Sequence, residues 1–340
     1  NGAGGGNIGH SVNAMYCGFR VRFVGRYVCF SNRLTELEEL LEMARRGLSM
    51  PLLIYGPEGC GKTVLLRYLY QRLAEGYEYV IYYSPLHGVD EGLVSTDDVK
   101  KAVISLANAF GGTLAAVAEA VLAVGELLAK RLGVRRAGGI AILLDDVFQA
   151  VGSVELYVKK ALTVVEHPPI EVDKTFVIIA SSEGVGLEAV GRHLWTNIKT
   201  LWNLDKEGFK ELISQIGGDV ERLWKRSGGN PRAVELLGDE GWSVEKVIKK
   251  MYRADNIDLK LLARHKAIVE RAVEDPDALL EAPQELTRYL LSKNLVARII
   301  DPIRRIERDK ELGIGEEYAW QTPLHRSAVE IALRQLKGAP

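Results

Sequence analysis

A chain of 340 residues is too long for one ordinary domain and sufficient for two or three. Hydrophobic residues make up 47% and charged residues 26%, which excludes a disordered chain. The 44 Lys and Arg nearly cancel the 45 Asp and Glu, leaving a formal net charge of -1, so a histone-like basic coat and an acidic tail are both excluded.

The opening stretch NGAGGGNIGHSVNAM has no cationic start and no apolar core, so it reads as a flexible lead or expression remnant rather than a signal peptide. Residues 1–29 are set aside as this lead and an N-terminal segment. Cys17, Cys29 and Cys60 are odd in number and lack CxxC spacing. Reduced thiols in a cytoplasmic setting are therefore expected, without a disulfide framework or a zinc site. Four methionines and three cysteines also fit a thermophilic source.

From Thr35 to Arg46 apolar residues recur at helical spacing, and Gly47 stops the pattern. Pro51–Tyr55 is a short apolar strand leading into a glycine-rich turn and a helix over Lys62–Glu75. Tyr79–Tyr83 reads as a second strand. Asp97–Leu132 reads as two helices broken near Gly111-Gly112. Within it, Leu114–Leu132 is the longest apolar candidate, but Glu119, Glu126, Lys130 and Arg131 make it a buried helix rather than a membrane span. Ile140–Leu144, Thr175–Ala180 and Ile198–Leu201 complete five strands. Runs apolar on both faces and separated by helices predict a parallel sheet covered on both sides. Three short helices follow over Asp205–Ile216, Asp219–Lys225 and Pro231–Leu237. Further helices are expected near Ser243–Met251, Leu259–Glu274 and Pro283–Leu291, then a two-stranded hairpin and a last helix over Pro323–Leu336.

Gly56-Pro57-Glu58-Gly59-Cys60-Gly61-Lys62-Thr63 matches GxxxxGK[ST] between a strand and a helix, with Val64 continuing that helix. The glycines let successive N–H groups converge on phosphate oxygens, and the helix dipole favours the anion. The motif predicts ATP or ADP binding, with Lys62 on the β/γ-phosphates and Thr63 on Mg²⁺. Ile140–Leu144 then delivers Asp145 and Asp146 at its C-terminal edge. Asp145 is expected to hold Mg²⁺ and Asp146 to polarise the attacking water. Glu is commoner in that second role, so turnover is expected to be slow. Cys60 is read as a filler of a variable loop position, and the six histidines show no metal-ligand spacing.

On these motifs the chain resembles P-loop ATPases of the AAA+ type, and more narrowly the archaeal ATPases close to the STAND class. The resemblance covers residues 30–340. It implies an α/β fold: a parallel-sheet, AAA+-like P-loop ATPase core over 30–204, a small helical lid over 205–242 and a C-terminal winged-helix domain over 243–340. Phe30-Ser-Asn32-Arg33-Leu-Thr-Glu-Leu37 is similar to a family segment whose backbone lies against the adenine. Phe176–Ser182 occupies the sensor-1 strand, which implies Ser181 or Ser182 near the γ-phosphate. Gly229-Asn-Pro231-Arg232 resembles the GxP motif, which implies Pro231 against the base and Arg232 on the phosphates; Gly-Asn-Pro also starts a helix. Arg192 falls where the family carries an arginine acting in cis or in trans, or it is an ordinary surface residue.

The resemblance leaves two functions open. One is a regulatory switch acting on a protein partner. The other is a DNA-acting ATPase, an initiator, loader or mobile-element helper, using the winged helix on duplex DNA. A nucleotide-dependent oligomer fits either. From Asp258 to Pro340 basic and acidic residues balance, and Arg304-Arg305-Ile-Glu307-Arg308-Asp309-Lys310 interleaves the two signs. A phosphate-tracking surface needs a basic excess, so the charge favours the protein partner.

Overall fold

The computed structural model describes residues 17, 19–30, 33–85, 93–94, 97–109, 113–151, 153–182, 187 and 197–338. The first element is an antiparallel hairpin of β1 (Arg20–Phe23) and β2 (Arg26–Cys29). Val24 and Gly25 turn it with φ of 46° and 72°, the positive values that match a two-residue turn to strand twist. This hairpin lies in the stretch set aside as a lead, and its four-residue strands are too short for their alternation to stand out. A disulfide joins Cys17 to Cys29, with Cα atoms 5.3 Å apart. That corrects the expectation of reduced thiols: an odd count leaves one cysteine over, and Cys60 is the one buried and free.

The core follows as α1 (Leu34–Arg46), β3 (Leu52–Tyr55), α2 (Lys62–Leu73), β4 (Tyr79–Tyr83) and β5 (Leu93–Val94). Next come α3 (Asp97–Ala109), α4 (Leu114–Leu122) and α5 (Val124–Arg131), so the two helices expected there are three, with a break at Ala123. Then come β6 (Arg136–Ala137), β7 (Ile140–Asp145), α6 (Val154–Glu166), β8 (Glu171–Val172), β9 (Thr175–Ser181) and β10 (Asn197–Thr200). The main sheet has the order β10-β3-β9-β7-β4-β5, with its first five strands parallel and β5 antiparallel at one edge. Successive residues point to opposite faces. Leu53, Ile142, Leu144, Val177 and Ile179 pack with α3 to α6, whereas Leu52, Ile54, Leu143, Phe176 and Ile178 pack with α1 and α2. This two-sided burial is what makes each strand a continuous apolar run. The expected α/β core built on a parallel sheet is present.

Beyond it lie α7 (Lys206–Ile216), α8 (Val220–Ser227) and α9 (Pro231–Asp239). The side chains of Asp205, Asp219 and Asn230 cap their first turns. Phe23 and Val28 of the hairpin bury against Phe209, Leu212 and Leu237 of this layer. Gln215 of α7 accepts from Cys29 N at 2.7 Å and donates to Cys29 O at 3.2 Å, fastening the hairpin to it. The rest comprises α10 (Val244–Ala254), α11 (Leu259–Arg264), α12 (Lys266–Glu274), α13 (Gln284–Ser292), β11 (Val296–Arg298), β12 (Tyr318–Trp320) and α14 (Pro323–Gly338). The single helix expected over Leu259–Glu274 is interrupted at His265. β11 and β12 pair antiparallel, and the segment between them runs back to the core. There Thr200 N donates to Ile300 O at 2.9 Å and Ile303 N to Thr200 O at 3.0 Å, covering the edge of β10. Among the described residues no helix is long and apolar enough to cross a membrane.

Candidate nucleotide-binding site

The loop between β3 and α2 carries the glycine motif at the C-terminal end of the sheet. Gly56 is forced by proximity: a Cβ there would stand 1.9 Å from the Leu201 carbonyl oxygen. Gly59 is forced twice, by a φ of 72° and by Arg232, whose Cβ would lie 2.0 Å from an added methyl. Lys62 is buried, and its Nζ donates to Gly56 O at 2.9 Å and Pro57 O at 2.8 Å. Its charge therefore sits at the mouth of α2 without a carboxylate partner among the described residues. Behind the loop Arg33 is also buried; it donates to Cys60 O at 2.6 Å and Trp202 O at 2.7 Å and pairs with Glu36 at 2.7 Å. The Arg33 side chain thus braces the loop from the rear. Cys60 packs inside, its Sγ 3.5 Å from Leu201 O, as a filler should.

Asp145 ends β7 almost wholly buried, with Oδ2 accepting from the Tyr82 hydroxyl at 2.9 Å. Its Oδ1 is buried and takes no hydrogen bond. Burial raises this carboxyl above its ordinary range and the Asp146 charge adds to that; the Thr63 and Tyr82 hydroxyls and Lys62 pull it down. An orphaned, desolvated carboxylate oxygen beside a Thr hydroxyl fits a divalent cation, which would offset the charge. Among the described residues no group of three or more His, Cys, Asp or Glu could hold a metal alone. Asp146 follows in the left-handed region, φ 50°. Its Oδ1 accepts from Ser182 N at 3.2 Å and Ser182 Oγ at 3.3 Å, so Ser182 orients this carboxylate as well as facing the cleft.

These groups share one cleft of about 350 Å³. It is lined by Gly59 to Val64, Asp146, Ser182 and Arg232 together with the apolar Val21, Phe23, Phe30, Leu204, Leu212 and Pro231. Arg33 and Glu58 also border it. Gly56, Pro57 and the buried Asp145 are not among its lining residues. The Arg232 guanidinium pairs with Glu235 at 2.9 Å while its stem covers Gly59. Asn32 and Arg192 lie outside the described residues.

Sequence reasoning missed several residues here. Tyr82 lies on the expected strand Tyr79–Tyr83 and is buried, and its hydroxyl holds Asp145. Asn230 Nδ2 donates to Glu58 O at 2.9 Å and to Asn203 Oδ1 at 2.8 Å, and Gln321 Oε1 accepts from Glu58 N at 3.0 Å. The hairpin residues Val21 and Phe23 carried no signal beyond two short alternating strands.

Asp255, after α10, has its carboxyl pushed up to about 6, by burial first, with Lys293 opposing and the Glu58 charge adding. Its Oδ2 is buried and takes no hydrogen bond. Because the folded value exceeds the ordinary 3.8, the folded chain holds this proton longer. Stability present below about pH 4 is therefore lost as pH rises through 6. The full shift corresponds to about 3 kcal/mol, which screening at a half-exposed group reduces to about 1 kcal/mol. Asp255→Asn is expected to raise the unfolding temperature by about 2–4 °C at pH 7.5 and to leave it unchanged near pH 4. Thermal unfolding at both pH values checks this.

A phosphate loop after β3, two carboxylates at the C-terminal end of buried β7 in the same sheet, and apolar side chains lining the same cleft define a P-loop ATPase. The chain belongs to the family described as the ATPase domain predominantly from Archaea, whose model matches residues 30–237. Comparison with curated proteins finds no match. Solved structures similar to it include the Aeropyrum pernix ORC2 protein in ADPNP-ADP complexes, at 13% identity and TM-score 0.44, over 90% of this chain and 95% of that one. AMPPCP-bound DnaA from Aquifex aeolicus is 16% identical, TM-score 0.37, over 92% and 90%. RuvB of Thermotoga maritima is 17% identical, TM-score 0.37, over 91% and 94%.

Proposed function

We propose that this ATPase is a slow, Mg²⁺-dependent switch, in which nucleotide bound at the loop sets how core, lid and C-terminal unit pack and thereby regulates a protein partner. Lys62 and Arg232 contact the phosphates, Thr63 and Asp145 hold Mg²⁺, and Asp146, oriented by Ser182, polarises water. The bound ion neutralises phosphate charge; the chain's residues supply position. Asp is one methylene shorter than Glu in the water-polarising role, which supports slow turnover. The carrying observation is that Arg232, from the first turn of α9, lies directly on Gly59, so the lid cannot move without uncovering the loop. On this reading residues 30–204 are the core, 205–242 the lid, and 243–340 a winged helix built on β11 and β12.

The cations between β11 and β12 support a protein partner over DNA. Three of these four are paired with acids of the same chain, Arg304 with Asp205 and Arg308 and Lys310 with Asp275, and Arg305 alone is left exposed without an ion pair among the described residues. The test is size-exclusion with light scattering under Mg²⁺ with ADP and with a non-hydrolysable ATP analogue, alongside phosphate release from ATP. Two distinct hydrodynamic states, or a nucleotide-dependent oligomer, are expected. Identical elution in both nucleotides would sink the switch, and retention on duplex DNA at near-physiological salt would move the reading to a DNA-acting ATPase.

A further inference from the structure

The peptide groups on either side of Glu58 are gripped from outside the loop. Asn230 Nδ2 holds the Glu58 carbonyl at 2.9 Å, and Gln321 Oε1 holds the Glu58 N–H at 3.0 Å. A trans peptide is planar, with its C=O and N–H pointing opposite ways. The plane whose N–H bonds Gln321 therefore presents the Pro57 carbonyl on its other side, and that carbonyl accepts from Lys62 Nζ at 2.8 Å. One peptide plane thus links Gln321 to the lysine ammonium.

Gln321 is itself fixed. It is wholly buried between Trp320 and Thr322. Its N–H donates to Leu295 O at 3.1 Å, and its carbonyl accepts from Asn203 Nδ2 at 2.9 Å. Asn203 closes the circuit by accepting from Asn230 at 2.8 Å. The Gln321 amide nitrogen is buried and makes no hydrogen bond, so the side chain is held here by its acceptor alone. Leaving a buried donor unpaired opposes folding, and the arrangement is not one that stability by itself explains.

We propose that Gln321 is a positioning residue for Lys62, delivered by the junction between β12 and α14, so that nucleotide affinity depends on the seating of the C-terminal unit. This deepens the switch reading and rests on nucleotide binding at the loop. Linkage makes the effect reciprocal: nucleotide tightens the seating by the factor through which the seating tightens nucleotide.

The test uses the full chain with Mg²⁺ and ADP, titrated calorimetrically. Gln321→Met keeps length and volume, cannot accept from Glu58 N–H as an amide oxygen does, and removes the unpaired amide nitrogen. Its Kd for ADP is expected to rise about tenfold, corresponding to about 1.4 kcal/mol, with an unfolding temperature close to that of the wild type. A variant with unchanged Kd, whatever its unfolding temperature, would make Gln321 purely structural and overturn the proposal. Should the variant not fold, hydrogen exchange of the wild-type chain decides. ADP is expected to slow exchange at the Gln321 amide and its neighbours, and equal exchange with and without ADP would overturn the proposal. No ADP binding by the wild-type chain would instead remove the nucleotide reading, and this proposal with it.

Discussion

Lys62→Ala is expected to raise the Kd for ATP and ADP at least about 100-fold, roughly 2.7 kcal/mol, and to reduce phosphate release to background. The Lys62 ammonium is buried to within 5% and its oxygen partners are two carbonyls of its own loop. Those carbonyls place a full positive charge at the first turn of α2, where N–H groups already favour an anion. Removing it deletes the strongest attraction for phosphate and frees the Gly56 and Pro57 carbonyls to reorient. Lys62→Met separates the two effects, since its stem refills the slot without charge. Calorimetry on both variants, with loss of the stabilisation that ADP gives the wild type, is the check. Wild-type affinity in Lys62→Met would place phosphate elsewhere.

Asp146→Asn is expected to lower turnover about 100-fold or more while ATP affinity changes less than about threefold. Asparagine is the better probe because φ at this position is 50°. Asn adopts the left-handed region readily, whereas alanine adds about 1 kcal/mol of backbone strain. The amide keeps an oxygen for Ser182 and loses only the charge that polarises water. The Asp146 charge also raises the Asp145 carboxyl, so its removal favours the ionised, cation-binding form of Asp145 and holds ATP longer. Asp146→Ala should trap ATP likewise, with strain added. Single-turnover phosphate release with measured ATP retention checks both; unchanged release from the asparagine variant would remove Asp146 from the reaction.

The parts of this site that could be read in advance are those written in consecutive residues. The phosphate loop is eight adjacent positions, and the strand leading to Asp145 and Asp146 is a five-residue apolar run whose burial on both faces needs no knowledge of its neighbours. The family resemblance left Ser181 or Ser182 open, and of the two Ser182 lines the cleft. The illegible parts are single polar residues with remote partners. Glu58 and Gln321 are 263 positions apart, and Asn203 and Gln321 are 118 apart. No periodicity records such pairs, because each is set by how whole layers pack. The N-terminal hairpin failed for a different reason. Its residues alternate as a strand should, but over four residues, beside a glycine-rich stretch and before any regular element. The Cys17–Cys29 bridge was hidden by counting parity where only proximity decides.

The bond between Thr200 and Ile300 has a consequence for how the chain is made. Thr200 Oγ1 donates to Ile300 O at 2.9 Å and accepts from Ile300 N at 2.8 Å, across 100 residues of sequence. At a ribosomal rate of roughly 5–20 residues per second, the outer strand of the nascent sheet waits about 5–20 s for the segment that shields it. Throughout that interval its free backbone groups can recruit a neighbouring chain. Birth of the ATPase core and its protection from aggregation are thus separate events, and the second belongs to the C-terminal third of the molecule.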